Sequence, residues 1–351
     1  MDSPEPRRSE PGAALAAFLP RGAVRAAERD ALATGAAFVA RDQLAHITLS
    51  GTGRLACLQG LVSCDVEKPG DDSHLFGALL TAKGMIVSPL WITRLTDVLL
   101  VEAPSAAGAA LEESFARLLP PRLCQFDVTT ASTASLGVYG PAAADALARA
   151  TPGEPPAALG RVTRLPAGGA PLVVARVAAR GVEGFDCTGP AAAIETLAAR
   201  LEASGTLRAS PALLEERRIL AGFPRLGAEI DARTLPQEVR LDELGALSYT
   251  KGCYLGQETV ARLHFRGHAN RRLAGLQLDR APAALPADLA GTERPLGRLT
   301  SACWWEAGGG YAGLAVLRRE LAAGATVEVA GGVAGTVHAL PWEPSGGDTA
   351  T

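Results

Sequence analysis

The feature that most limits the fold is a change of texture along the chain. Up to Leu220, short apolar runs alternate with segments of helical spacing; beyond Arg272, helical periodicity nearly vanishes. Residues 45–51, 98–101, 123–129, 136–139, 173–177 and 184–188 read as strands. Residues 52–59, 105–119, 141–150, 190–203 and 211–220 read as helices, and Pro141, Pro190 and Pro211 suit a first turn. That split β-α-β rhythm predicts an α+β fold of two ferredoxin-like units. Residues 273–278, 312–317, 326–330 and 335–339 are short strands punctuated by Gly and Pro, which predicts a small C-terminal β-barrel. The Pro-rich stretch 151–171 reads as a surface loop. The predicted organisation is a mobile N-terminal arm with a short Ala-rich helix over 1–30, two interleaved α+β units over 31–270, a barrel over 271–344 and a frayed tail over 345–351.

A chain of 351 residues exceeds what one core usually serves. Hydrophobic residues make up 48% and aromatic residues only 5%, so its cores are built from Ala, Val and Leu. A net charge of −3 argues against a surface coated for bulk nucleic-acid binding. The cysteines, at 57, 64, 124, 187, 253 and 303, form neither a C-x-x-C pair nor a secreted disulfide framework, and predict a reducing cytoplasm. The first thirty residues mix Arg7, Arg8, Arg21, Arg25 and Arg29 with Asp2, Glu5, Glu10, Glu28 and Asp30, which does not fit an acid-poor transit peptide.

Candidate chemistry concentrates in Lys251-Gly252-Cys253-Tyr254-Leu255-Gly256-Gln257-Glu258. A thiol, an amine, a phenol, an amide and a carboxylate crowd around two glycines, which permit tight bends. A nearby cation lowers a thiol's pKa, so Lys251 is a candidate activator of Cys253; a buried inert cysteine is the plainer alternative. Gln257 and Glu258 offer hydrogen bonds to a heterocycle, or else simply start a solvated helix. From Thr259 to Leu278 the chain carries Arg262, Arg266, Arg271, Arg272, His264 and His268 and no acid. Such a strip suits a carboxylate or phosphate chain, or is an ordinary solvated face. His264 and His268 have i,i+4 spacing but no accompanying carboxylate motif, which disfavours a metal site. Arg218, ahead of Gly222-Phe223-Pro224, and Asp186, in a strand, are candidates to point into a cleft.

The octapeptide with Ala261-Arg262, together with Leu235-Pro236-Gln237-Glu238 and the segment from Leu58 to Val66, resembles the YgfZ-type folate-binding proteins, relatives of the glycine-cleavage aminomethyltransferase. The resemblance runs from about residue 36 to 342. It implies a three-part ring around a folate channel lined by the octapeptide, tetrahydrofolate or a derivative as ligand, and Cys253 as a functional thiol. It also implies a role in maturing or repairing iron–sulfur enzymes, including a tRNA-methylthiolation enzyme. By the same resemblance Asp186 and Arg218 orient the pteridine, and Lys251, Tyr254, Gln257, Glu258 and Arg262 join the ligand site. Where the transferases carry adjacent aspartates, this chain has Ser88-Pro89, which disfavours glycine cleavage. Two other readings stay open: a folate-dependent transferase or demethylase of altered specificity, and a tRNA-binding module resting on the arginine strip.

Overall fold

The computed structural model describes residues 17–291 and 294–342. Its first sheet has five antiparallel strands in the order Ser73–Leu80, Ile86–Arg94, Leu99–Pro104, Leu44–Ser50, Gln125–Val128. Helices Arg54–Gln59 and Gly108–Leu118 cover one face, where Leu58, Leu111 and Phe115 pack against Ile47, Leu49, Ile92 and Val101. The second sheet has six strands, in the order Leu207–Arg208, Ala37–Ala40, Thr133–Tyr139, Val182–Pro190, Ala170–Ala179, Val162–Ala167. Helices Ala143–Ala150 and Ala191–Ala203 pack on it through Leu147, Leu197 and Leu201. The units interleave, because the chain leaves the second sheet at Ala40, enters the first at Leu44 and returns at Thr133.

Six strands close the C-terminal barrel. Gly297–Trp305 pairs with both Ala287–Leu289 and Gly310–Arg318, and the ring continues through Arg271–Leu278, Val333–His338 and Thr326–Val329. Closure leaves no free edge within the ring. Phe18–Leu19 adds in parallel to Gly297–Trp305, and helix Ala26–Thr34 follows, so this part of the expected arm is built into the structure. The rest of that arm, residues 1–16, and the expected tail lie outside the described residues. The expected loop over 151–171 also contains an edge strand, Val162–Ala167, whose buried Val162, Leu165 and Ala167 alternate with exposed Arg164 and Pro166. An edge position is where a strand tolerates proline. No helix among the described residues is long and apolar enough to cross a membrane.

A buried polar cluster joins the two sheets. Arg41, on the crossing between them, places Nη1 2.8 Å from Asp186 Oδ2 and 3.7 Å from Glu102 Oε2. Glu102 belongs to the first sheet, yet it accepts hydrogen bonds from Ser135 (2.6 Å) and Thr188 (2.9 Å) of the second. Asp186 accepts from Tyr139 Oη (2.6 Å) and Arg180 Nη2 (3.0 Å). Gly137 pairs opposite Asp186, and a Cβ there would overlap the Tyr139 hydroxyl, so glycine leaves that phenol its path. Burial alone would raise both carboxyl pKa values. The Arg41 charge, joined at Glu102 by the His46 and Ser135 contacts and at Asp186 by the Arg180 charge and the Tyr139 hydrogen bond, more than offsets it, holding Glu102 well below the ordinary carboxylate range and Asp186 below it as well.

Both folded pKa values are depressed, so this stabilisation is complete above the unfolded values near ~4 and is lost as pH falls through the folded ones. Urea unfolding at a series of pH values should show stability declining below about pH 4. Glu102→Gln should cost about 3 kcal/mol at neutral pH, with a difference from the unaltered protein that narrows on acidification. A pH-independent difference would show that the Glu102 charge is not what the cluster uses.

Candidate ligand-binding site

Where the crossing Ala40–Leu44 meets strand Ile86–Arg94 and the end of helix Pro211–Ala221, a cavity of 340 Å³ opens. The sheet itself makes room for it. Ile86–Arg94 pairs with Leu99–Pro104 only from Trp91 onward, so the stretch before Trp91 is unpaired on that side, and Pro89 there needs no donor. Pro89, Trp91, Leu214, Phe223 and Leu226 form an apolar wall. The Trp91 and Phe223 rings are 17° from parallel with centroids 6.3 Å apart, and Phe76 packs against both.

Charged side chains complete the lining. Arg180 sits 4.9 Å above the Trp91 ring, a cation–π distance. It occupies a two-residue turn with Gly181, both at positive φ (57° and 74°), the pattern of a type I′ hairpin. Left-handed backbone costs a non-glycine residue about 1 kcal/mol, which this position bears while keeping the guanidinium over the cavity. Two buried donors on the lining residues, Arg41 Nη2 and Trp91 Nε1, have neither a hydrogen bond nor an ion pair among the described residues. An unpaired buried donor costs about 1–3 kcal/mol, so the pair suits a ligand that presents acceptor atoms.

The residues expected from sequence fall elsewhere or are already engaged. Arg218 lines the cavity, but its guanidinium donates to Glu215 twice (2.8 and 2.7 Å), Phe223 O (2.6 Å), Glu229 (3.0 Å) and Ser301 Oγ (2.8 Å). Those contacts consume every N–H an arginine has. Glu229 also accepts from Thr300 and Ser301, so the cluster bolts the helix to the barrel. Asp186 is 2% exposed and lies outside the cavity lining. Instead of meeting a ligand, it holds Arg41 and Arg180, which do line the cavity. Both side chains are thus engaged with protein partners in this structure, Arg218 at the cavity lining and Asp186 behind it.

Lys251 is held by backbone carbonyls of the 59–64 segment. Its ammonium donates to the carbonyls of Gln59 (2.6 Å), Val62 (2.6 Å) and Cys64 (2.7 Å), using all three protons. Burial pulls its pKa down to about 8. Cys253 is exposed on the adjoining turn. Tyr254 is buried with Val239, Leu241 and Val260, against Phe76 and Leu226 of the cavity side. Gln257 and Glu258 begin helix Gln257–Arg266, where Glu258 and Arg262 face solvent. None of Lys251, Cys253, Tyr254, Gln257, Glu258 and Arg262 lines the cavity. The motif braces the wall from behind. Its Gly256 (φ 80°) sits so close to the turn after Ser73–Leu80 that a Cβ would lie 2.5 Å from Thr81 O and 2.9 Å from Gly84 Cα.

The lining residues Arg41, Trp91, Arg180 and Phe223 escaped the sequence reading. A tryptophan in an aromatic-poor chain, and an Arg-Gly pair between two strands, were the available signals.

Residues 17–247 match the GCVT N-terminal domain family. The tRNA-modifying protein YgfZ of Yersinia pseudotuberculosis serotype O:1b is 31% identical over 312 residues, covering 86% of this chain and 91% of that one. The chain belongs to the YgfZ family. The YgfZ of Escherichia fergusonii is 34% identical over 239 residues, 66% of this chain and 68% of that protein. The fold is also that of the glycine cleavage system aminomethyltransferase T from Bartonella henselae, with a TM-score of 0.79 over 91% and 89% of the two chains at 20% identity. In this YgfZ-family chain, buried Ser88 turns its hydroxyl onto the Pro89 carbonyl (2.8 Å) and Pro89 faces the cavity, so Ser88-Pro89 offers no carboxylate to it.

Lys251→Met should lower the unfolding free energy by about 3 kcal/mol, because it strands three buried carbonyls. Gly256→Ala should cost about 2 kcal/mol or more through backbone strain and overlap. Cys253→Ser, on an exposed turn, should change stability by less than about 0.5 kcal/mol. Urea denaturation distinguishes them, and a Lys251→Met effect as small as that of Cys253→Ser would remove the anchoring role.

Proposed function

We propose that this YgfZ-family chain binds tetrahydrofolate or a derivative in the central cavity. In that role it serves as an accessory protein for the assembly or repair of iron–sulfur enzymes, including one that methylthiolates tRNA. The observation that carries the ligand reading is the pair of unpartnered buried donors, Arg41 Nη2 and Trp91 Nε1, on a cavity walled by Trp91 and Phe223. A pterin ring is flat, with acceptor atoms at its edge, and matches an aromatic wall beside fixed donors. Arg180, tethered by Asp186, adds a cation over the same wall. Bound tetrahydrofolate would supply one-carbon acceptor chemistry. The residues of this chain would bind it, orient its edge and exclude water; Ser88-Pro89 supplies no carboxylate in the place where the resemblance puts aspartates in the transferases. Cys253 is exposed and outside the cavity, which supports a role toward a partner protein rather than toward the folate.

Anaerobic calorimetry with tetrahydrofolate tests this reading. Trp91→Phe keeps an aromatic face but removes the indole N–H together with part of the stacking area, and should weaken binding about 5–10-fold. No saturable binding by the unaltered protein would end the folate assignment. Arg218→Ala is a poor probe, since it strands Glu215 and Glu229 in the interior. The role of Cys253 is read separately: Cys253→Ser should leave the folate affinity unchanged and reduce iron–sulfur enzyme activity in cells that carry only the variant. Full activity there would remove the thiol from the proposal.

A further inference from the structure

Away from the folate cavity, two adjoining depressions of 790 and 440 Å³ share His268, Arg271 and Arg319 and form one groove. Neither has a lining residue in common with the folate cavity. The groove lies between the end of helix Gln257–Arg266 and the barrel, and Arg294 and Arg318 line its barrel side. Some of its cations have local duties. Arg271 pairs with Glu238 (2.9 Å), and Arg318 lies 3.6 Å from Glu320. Arg266 and His264 also complement the C-terminal end of their helix. Arg294 and Arg319 have no such explanation: both are exposed and neither makes an ion pair among the described residues. Arg262 and Arg266, on the neighbouring helix, are likewise exposed without an ion pair among the described residues. Cations brought together from three separate segments repel one another, and a bound polyanion relieves that repulsion.

A second observation narrows the polyanion. His264 stacks on Tyr249 with ring centroids 3.7 Å apart and planes 15° from parallel. Phe265 meets His264 edge-on at 4.7 Å and is 67% exposed, a large apolar ring left in water beside the arginines. A purely acidic chain such as poly-glutamate gains nothing from such a ring, whereas unpaired bases stack on it while the phosphates meet the cations. Unpaired bases beside a phosphate backbone are characteristic of RNA loops. We propose that this groove binds RNA through its phosphates, with Phe265 as a platform for an unpaired base. The sequence strip from Arg262 to Arg272 is one bank of the site, and Arg294 and Arg319 from the barrel are the other.

Fluorescence anisotropy with unfractionated tRNA, over a salt series, tests the proposal. The double variant Arg294→Glu/Arg319→Glu should weaken binding at least about tenfold and reduce the slope of log K against log salt by about 2. Phe265→Ala should weaken binding about tenfold and leave the salt slope unchanged. All three positions are exposed, so the unfolding midpoint should not move, and the tetrahydrofolate affinity should not change either. Undetectable tRNA binding, or binding indifferent to these substitutions, overturns the proposal. So does binding of poly-glutamate or heparin as tight as that of tRNA together with a silent Phe265→Ala, which would mark a generic acid-binding face.

Discussion

The structure depends on one guanidinium. Arg41 lies on the short crossing between the sheets and meets a carboxylate from each, Asp186 of one and Glu102 of the other. A buried ion pair is a weak source of net stability, since desolvation consumes most of the attraction, but breaking one is expensive. The cluster therefore acts mainly on specificity. A slip of either sheet would separate Glu102 from Ser135 and Thr188, or Asp186 from Tyr139, and leave charge uncompensated in the interior. The same arginine keeps one nitrogen, Nη2, without a protein partner beside the cavity. What fixes the sheets also sets a donor at the ligand site.

Two other buried cations follow the same logic. Arg218 spends all its N–H groups on helix, loop and barrel, and Lys251 spends all its protons on the carbonyls of the 59–64 turn. Arg218 stands out in the sequence by its place ahead of Gly222-Phe223-Pro224, and Lys251 by its place in a glycine-containing turn two residues from Cys253. Their valence is filled from within. A charge that is fully paired shapes a site without touching its occupant, and only a count of donors and acceptors separates the two cases.

That count is absent from a sequence, which explains what was legible and what was not. The helices beginning at Pro211 and Ala191 announce themselves by proline placement and apolar spacing, and the barrel by its short punctuated strands. Strand Ile86–Arg94 is missing from the strands read off the sequence, and Pro89 within it is a residue that strands seldom carry. The proline is tolerated because pairing to the next strand begins only at Trp91. Pro89 thus marks where the sheet opens into the cavity. Likewise the octapeptide was correctly singled out as unusual, but its place behind the wall depends on the contacts of Tyr254 and Gly256 with segments far away in the chain.

Seen from the octapeptide, the two candidate binding surfaces are neighbours. Tyr254 and Val260 share one apolar cluster with Leu226 of the cavity lining, and with Tyr249 and Val316 at the groove. Helix Gln257–Arg266 carries its buried Val260 on the cluster side and its arginines on the other. Close-packed interiors transmit displacement, because a side chain cannot shift by a methylene's width without moving what it touches. Repacking of Leu226 or Phe76 around a ligand would therefore reach the helix through a single layer of side chains. The exposed Cys253 stands on the turn between the buried Lys251 and the start of that helix. A thiol there is outside the cavity yet attached to the element that its wall contacts. The sulfur is thus open to solvent on the side away from the cavity, so the proposed folate and a proposed partner protein would not compete for one surface.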